Sequence, residues 1–555
     1  MANQEDYTAS TRMWFKQITK EKKDVASIYI YAILSGLVQL SIPLGIQAIV
    51  SFVLGATMVT SLYLLIGFVV LGTFLYGVFR VKVMQIIEKI QQKIFVEYSI
   101  AFAKKLPKID LAATKKYYLP ELVNRFFDIL NLQKSISKIL LEIPTALIQI
   151  FFGIILLSFY HVWFLVFGAV VIIIVGCIFY FTMDSGIQSS VEESNKKYEV
   201  ASWLEDIASA IKTFKINSKS DMHLTGTDER VAQYLDHRTS HFKVLLFQYK
   251  SIIGFNVTIT LVMLGIGTYL LINQKLNIGA FVATEIVVIM IMSAVEKLIK
   301  SLESYYDMIA SVLKLHKVTG LREESNGEIV LESTARGMEV VFKDVSLNFA
   351  DSRPVFIHLN FTIPANSLTM ISGQVGAGKS MLLNMIAGFY EPSGGTVLFD
   401  KIPIKNIDKI ALRNRIGLYM EDMTIIKGTL HENLVLGREN ISTEDILRLA
   451  ESIGIEQLSD QFSNGFYTLL SETDTEISFS SRKMILILRA LLGNNRLLLL
   501  EDPLDGMDEV FRKKLTQYLD EIKQHTTVIL VSKEKEVMEI ADQHLYLQNR
   551  TIEIK

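Results

Sequence analysis

Gly373-Gln374-Val375-Gly376-Ala377-Gly378-Lys379-Ser380 is the stretch on which the reading of this chain turns. It matches G-x-x-x-x-G-K-[ST], and its flanks suit the motif. Leu368-Thr369-Met370-Ile371 reads as a strand leading in, and Met381-Leu382-Leu383-Asn384-Met385-Ile386 as a helix leading out. The chemistry needs that order. Glycines let successive backbone N–H groups wrap an anion, and the helix N-terminus adds its partial positive charge. Lys379 then reaches terminal phosphates, and the Ser380 hydroxyl is placed to bind Mg²⁺. A nucleoside triphosphate with Mg²⁺ is the expected ligand, cradled from Gly373 through Met381.

Working outward, composition sets this loop in an unusual context. The chain has 555 residues, half of them hydrophobic, with mean hydropathy +0.33. That is too long for one domain and too apolar for an ordinary soluble enzyme. The formal net charge of −2 offers no basic excess for nucleic acid. The single cysteine, Cys177, lies in an apolar run, which excludes a disulfide framework and a cysteine-rich metal site.

The apolar residues are segregated into six spans, near 27–54, 62–79, 139–158, 162–181, 252–272 and 278–294, each long enough to cross a bilayer as a helix. Segment 1–24 is polar, mixed in charge and followed by no small-residue cleavage site, so a removed signal peptide is not expected. The short connections hold only Lys275, whereas the long ones are rich in lysine. The positive-inside rule therefore places both termini and the long connections in the cytoplasm.

Those long connections read as helix. Residues 81–105 carry Val83, Ile86, Ile87, Ile90 and Ile94 at helical spacing without proline or glycine, and 191–211 and 230–247 look similar. Turns at Leu106-Pro107 and 217–220 suggest helical hairpins projecting into the cytoplasm. The expected organisation is a cytoplasmic segment 1–24, a six-helix transmembrane domain 25–315, a linker 316–336, and a domain 337–555. In the last, strands and helices alternate in the manner of a parallel α/β sheet.

This layout resembles one half of an ABC exporter over nearly the whole chain. The resemblance is sharpest to the hemolysin-like type I secretion and bacteriocin group, through Ser41-Ile42-Pro43-Leu44-Gly45-Ile46-Gln47 and Leu276-Asn277-Ile278-Gly279-Ala280-Phe281. Where relatives carry an acid shortly after the first motif, this chain has Ser51. The resemblance implies a transmembrane domain followed by an α/β ATP-binding cassette, ATP and Mg²⁺ as cofactors, and a second half-transporter as partner. It also implies residence in the bacterial inner membrane, with a periplasmic adaptor and an outer-membrane channel as further partners.

Residue by residue, the resemblance assigns roles and exposes departures. Phe349, where the family usually has tyrosine, becomes the residue that stacks on adenine. Glu421 stands where a glutamine normally touches Mg²⁺ and the attacking water. Gly428–Asn433 secures the register, and Glu472 falls where an acid contacts the partner's cytoplasmic helices. The signature Leu-Ser-Gly-Gly-Gln is replaced by Ile477-Ser478-Phe479-Ser480-Ser481, so only Ser478 survives to meet the γ-phosphate across a dimer. Glu501-Asp502 reverses the family's Asp-Glu pair. Glu501 takes the Mg²⁺ shell, and Asp502, one methylene short, takes the water-polarising role. Lys533 replaces the γ-phosphate-sensing histidine.

With the phosphate loop whole and these positions altered, the expected function is ATP-driven export of a peptide, protein or other amphipathic cargo, with slow or impaired hydrolysis. Two alternatives stay open: a non-hydrolysing scaffold or regulator, and the degenerate half of a heterodimeric lipid or drug exporter. Intramembrane polar residues are Gln39, Gln47, Gln149 and Glu285, the last read as pairing with another helix. Turns near 109–118 and 214–220 are expected to couple the two halves of the chain.

Overall fold

The computed structural model describes residues 21–55, 60–114, 119–216, 219–332, 336–349, 354–456, 458, 461–462, 464–471 and 477–554. They fall into two compact units, one drawn from 1–108 and 116–321, the other from 109–115 and 322–555. Most of the N-terminal segment, Glu472, and parts of the turns at 109–118 and 214–220 lie outside the described residues.

Among the described residues of the first unit, six helices are long and apolar enough to cross a membrane: Lys22–Leu54, Thr60–Lys108, Leu119–Tyr160, Trp163–Ser209, Met222–Ile272 and Ile278–Thr319. Each contains one expected span and several run far past it. Thr60–Lys105 is continuous for 46 residues, about 70 Å at 1.5 Å per residue, against roughly 30 Å of hydrocarbon. The helices read at 81–105 and 230–247 are thus extensions of spanning helices. The one read at 191–211 stops at Ser209, and Ile211–Ile216 starts a separate short helix.

Pro43 leaves a mark three residues upstream. It has no N–H for the Gln39 carbonyl, and its ring crowds that carbonyl. The first span accordingly breaks into Lys22–Gln39 and Ser41–Leu54 at Leu40. Large apolar side chains such as Phe68, Phe74, Phe151, Ile173 and Tyr180 point outward from these helices, a surface that only lipid or a partner satisfies. Inside, small residues allow close approach. A Cβ on Gly186 would meet the Tyr306 ring, and one on Gly279 would meet Ser51 Oγ at 2.6 Å and Gln47 O at 2.9 Å. The two membrane motifs quoted above, more than 200 residues apart in sequence, therefore pack on each other. Asn277 caps the last helix by accepting from the Ala280 amide at 2.7 Å.

All three intramembrane glutamines find partners: Gln149 donates to Gln39, and Tyr160 donates to Gln47. Glu285 departs from its expected pairing, because Oε1 is enclosed without a hydrogen-bond partner among the described residues. Its helix buries Ala283, Thr284, Val287 and Val288 there, and the one hydroxyl among them, Thr284, donates to Phe281 O at 2.7 Å instead.

The second unit holds a six-stranded sheet in the order Thr551–Ile554, Gln543–Gln548, Leu368–Gly373, Thr527–Val531, Leu497–Glu501, Ile416–Tyr419. All neighbours are parallel except the antiparallel edge strand Thr551–Ile554. The run Leu497-Leu498-Leu499-Leu500 is apolar at every position because both sheet faces are covered. Leu498 and Leu500 join one core cluster, Leu497 and Leu499 the other. The purely parallel expectation needs one correction: Val340–Leu347, Phe356–Ile363, Gly394–Phe399 and Ile402–Pro403 form a separate antiparallel sheet. Connections of only a few residues, such as Asp400-Lys401, cannot make a parallel crossover.

Candidate functional site

Parallel strands end on the same edge of a sheet, and the loops that follow them share that edge. In register, Val531 lies beside Ile371 and Glu501, and Tyr419 beside Leu500. Four segments distant in sequence are thereby gathered: the loop from Gly373, Met420-Glu421, Glu501-Asp502 and Ser532-Lys533.

The phosphate loop has the backbone its glycines permit. Gly376 and Gly378 sit at φ +79° and +103°, left-handed conformations that a side chain rarely adopts. A Cβ on Gly378 would also meet the Phe356 ring at 2.9 Å. Val375 is 90% exposed, its side chain standing out from the loop. Lys379 opens the helix Lys379–Ile386, and its Nζ donates to the carbonyls of Gly373 at 3.2 Å and Gln374 at 3.1 Å. The ammonium is held over the cradle it is expected to serve. Ala377 and Met381 pack partly buried against the core beneath.

Ser380 Oγ donates to Glu501 Oε1, and the Glu421 amide donates to Glu501 Oε2 at 3.4 Å. The two oxygens expected to hold Mg²⁺, a hydroxyl and a carboxylate, are thus already together, and hard oxygen donors are the set Mg²⁺ prefers. A glycine-bent loop under the Lys379 ammonium and an oxygen pair beside it fit Mg²⁺–ATP. Glu501 is buried, whereas the Glu421 side chain is exposed.

Asp502 sits at φ +42°, a conformation Asp tolerates better than most residues. Its amide donates to Val531 O at 2.9 Å and its carbonyl accepts from Lys483 Nζ at 2.7 Å. Burial pushes its carboxyl above the ordinary aspartate value. Glu421 pushes the same way, Lys533 pulls back, and Glu501 and Lys379 add smaller opposing effects. Lys533 itself is exposed. Two acids, Glu421 and Glu501, and two lysines, Lys379 and Lys533, therefore influence one carboxyl.

Phe349 lies half-buried, edge-on to Tyr390, with ring centroids 5.7 Å apart. Ser478 is the N-cap of helix Phe479–Leu491, accepting from the Ser481 amide at 3.0 Å. Its hydroxyl is engaged with Ser481 Oγ at 2.7 Å. Phe479, 74% exposed, projects from the first turn.

Two site-organising residues escaped the sequence reading. Lys483 is buried and ties helix Phe479–Leu491 to the Asp502 and Asp505 carbonyls at 2.7 and 2.6 Å. Burial lowers its ammonium, and Asp505, Glu421 and Asp502 oppose that. A lysine on the apolar face of Leu486 and Ile487 was the available signal. Arg489 donates to Asn433 O, Asn433 Oδ1 and Thr424 O, fixing the segment after Glu421.

Two families match this chain: the ABC transporter transmembrane region over residues 26–295 and the ABC transporter family over residues 356–505. Among curated proteins it is similar to the beta-(1-->2)glucan export ATP-binding/permease protein NdvA of Agrobacterium vitis. The two are 30% identical over 42% of this chain and 39% of that one. It is also similar to the leukotoxin export ATP-binding protein LtxB of Aggregatibacter actinomycetemcomitans, 24% identical over 63% of this chain and 50% of that one. The chain spans about half or less of the length of the curated relatives it matches. In fold it matches the structure of a bacterial Atm1-family ABC exporter with ATP bound, with TM-score 0.82 and 17% identity. That match covers 96% of this chain and 94% of the other.

Proposed function

This chain belongs to the ABC transporters, a transmembrane region fused to a domain that takes ATP with Mg²⁺, and we propose that it is one half-unit of an exporter with impaired ATP hydrolysis. Two such units, identical or different, work together, moving a peptide, protein or other amphipathic cargo out across the bacterial inner membrane. Both termini lie in the cytoplasm, and a periplasmic adaptor and outer-membrane channel complete the path. The similarity to a leukotoxin exporter supports this cargo class, and the similarity to a glucan exporter marks its breadth.

The observation that carries the reading is the convergence of Lys379, Ser380, Glu501 and Glu421 on one strand edge. Ser380 and Glu501 would hold Mg²⁺, which when bound would offset the charge of the phosphates. Gly376 to Ser380 hold and orient the phosphates, Phe349 and Tyr390 flank the base, and Glu501 steadies the metal-binding hydroxyl. Asp502 is the group that accepts a proton from the attacking water. Its backbone is pinned by Val531 and Lys483, so its carboxyl cannot advance to replace the missing methylene. Because phosphoryl transfer depends on positioning, that shortfall slows turnover.

A second reading, an ATP-binding regulator that does not hydrolyse, is favoured by Phe479. Its exposed ring occupies the first turn of the helix whose N-terminus would approach a phosphate across a dimer. ATPase of the detergent-purified protein, with Lys379→Ala as blank, separates the two. The exporter reading expects turnover above the blank yet below the ~1 s⁻¹ end of the usual enzyme range. Measured ATP binding with turnover equal to the blank transfers the case to the regulator.

A further inference from the structure

Within the first unit, a pocket of about 510 Å³ opens between the segment Leu119–Phe127 and the helices Trp163–Ser209, Met222–Ile272 and Ile278–Thr319. Arg125 on its wall is 7% exposed. Its Nη2 reaches Glu121 Oε1 only at 3.5 Å, and Nε and Nη1 have no hydrogen-bond partner among the described residues. Lys314, 2% exposed, donates to the neutral Asn195 side-chain oxygen and forms no ion pair among the described residues.

Both cations bear on one ring: Arg125 lies 5.8 Å and Lys314 5.2 Å from the Tyr198 centroid. Arg230, stacked 4.3 Å over Trp203, and Lys317 line the same pocket. Three acids line the pocket against the four cations Arg125, Arg230, Lys314 and Lys317: Asp206, Glu199, and Glu121, the last paired with Arg125 at 3.5 Å. Glu199 accepts from Lys196 at 2.8 Å, and Asp128 accepts from Tyr198 Oη at 2.6 Å.

Burial pushes the Lys314 ammonium down to about 7, and the buried Arg125 guanidinium keeps two donors unsatisfied; an oxyanion is what offsets both costs best. We propose that this pocket binds a small phosphate-bearing anion on Arg125 and Lys314. The bound anion joins the segment Leu119–Phe127 to helices Trp163–Ser209 and Ile278–Thr319. The volume exceeds the need of bare phosphate and admits a phosphomonoester. About 30 Å of helix separates Lys314 from the apolar end of its span at Ala294, which leaves lipid headgroups out of reach.

The test is equilibrium dialysis of radiolabelled inorganic phosphate against the full chain in nanodiscs. A Lys379→Ala background silences the phosphate loop. About one phosphate per chain is expected, with affinity at least tenfold weaker after Arg125→Gln. Lys314→Met, which keeps the stem's bulk, gives the same loss should the arginine variant misfold. Folding is judged by ATP binding of each substitution with Lys379 intact. Displacement by a lower concentration of adenosine monophosphate assigns a phosphomonoester as ligand, and failure to displace assigns free phosphate. Absence of binding by both probes in the Lys379→Ala chain overturns the proposal. Binding unchanged by both pocket substitutions overturns it equally.

Discussion

Asp502 combines requirements that pull against one another. In the proposed water-polarising role it must be ionised, yet burial and the neighbouring Glu421 raise its proton affinity. The folded state therefore holds this proton more tightly than the unfolded chain, whose aspartates titrate near the ordinary 3.8. Stability from this group is full below that value and is lost as pH rises through the elevated folded value. Asp502→Asn removes the penalty, so the nucleotide-free variant should melt higher than the parent at pH 7. The two melting curves should converge toward acid, and a lower melting temperature for the variant at pH 7 would overturn the assignment. For the same reason, residual ATPase should fall on acidification at a pH above that of an ordinary aspartate. A rate profile flat down to the ordinary value would remove Asp502 from the base role.

At the scale of elements, helix Phe479–Leu491 depends on its cap. Ser478 satisfies the Ser481 amide, one of the donors a helix start leaves unpaired. Ser478→Ala should cost the second unit about 1 kcal/mol, read as a shift of its denaturant midpoint. Ser478→Asp should restore most of that. If Ser478→Ala unfolds at the parent midpoint, the cap carries no weight. The cap was foreseeable, since Ser precedes an apolar-periodic helix. The break at Leu40 was only half foreseeable: Pro43 announces that the Gln39 carbonyl loses its donor, but not that the chain relaxes at Leu40 rather than beside the proline.

For the molecule as a whole, the six apolar helices make a claim about solvent that one residue can test. Cys177 is the sole cysteine and is exposed on the helix Trp163–Ser209. If that surface faces hydrocarbon, a charged maleimide should leave Cys177 unlabelled in nanodiscs and label it fully after dodecyl sulfate. Rapid labelling of the folded protein would instead place Cys177 on an aqueous path. Sequence could not choose between a lipid-facing and a core cysteine, because an apolar run around it is required by both.

The sequence alone determined whatever depends on neighbours a few residues apart. The phosphate loop was legible because glycine conformations and a helix start are local, and the spans because hydrocarbon thickness demands an uninterrupted apolar length. Tertiary structure decided what depends on register between distant segments. Glu501 meets Ser380 because parallel strands align their ends, Gly279 meets Gln47 and Ser51 because two helices approach at a position without a side chain, and Lys483 reaches the Asp502 carbonyl across a helix–strand gap. Arg125 and Lys314 belong to this second class. Each reads singly as a solvated charge, and only the packing of helices around Tyr198 takes both out of water and turns them toward one pocket.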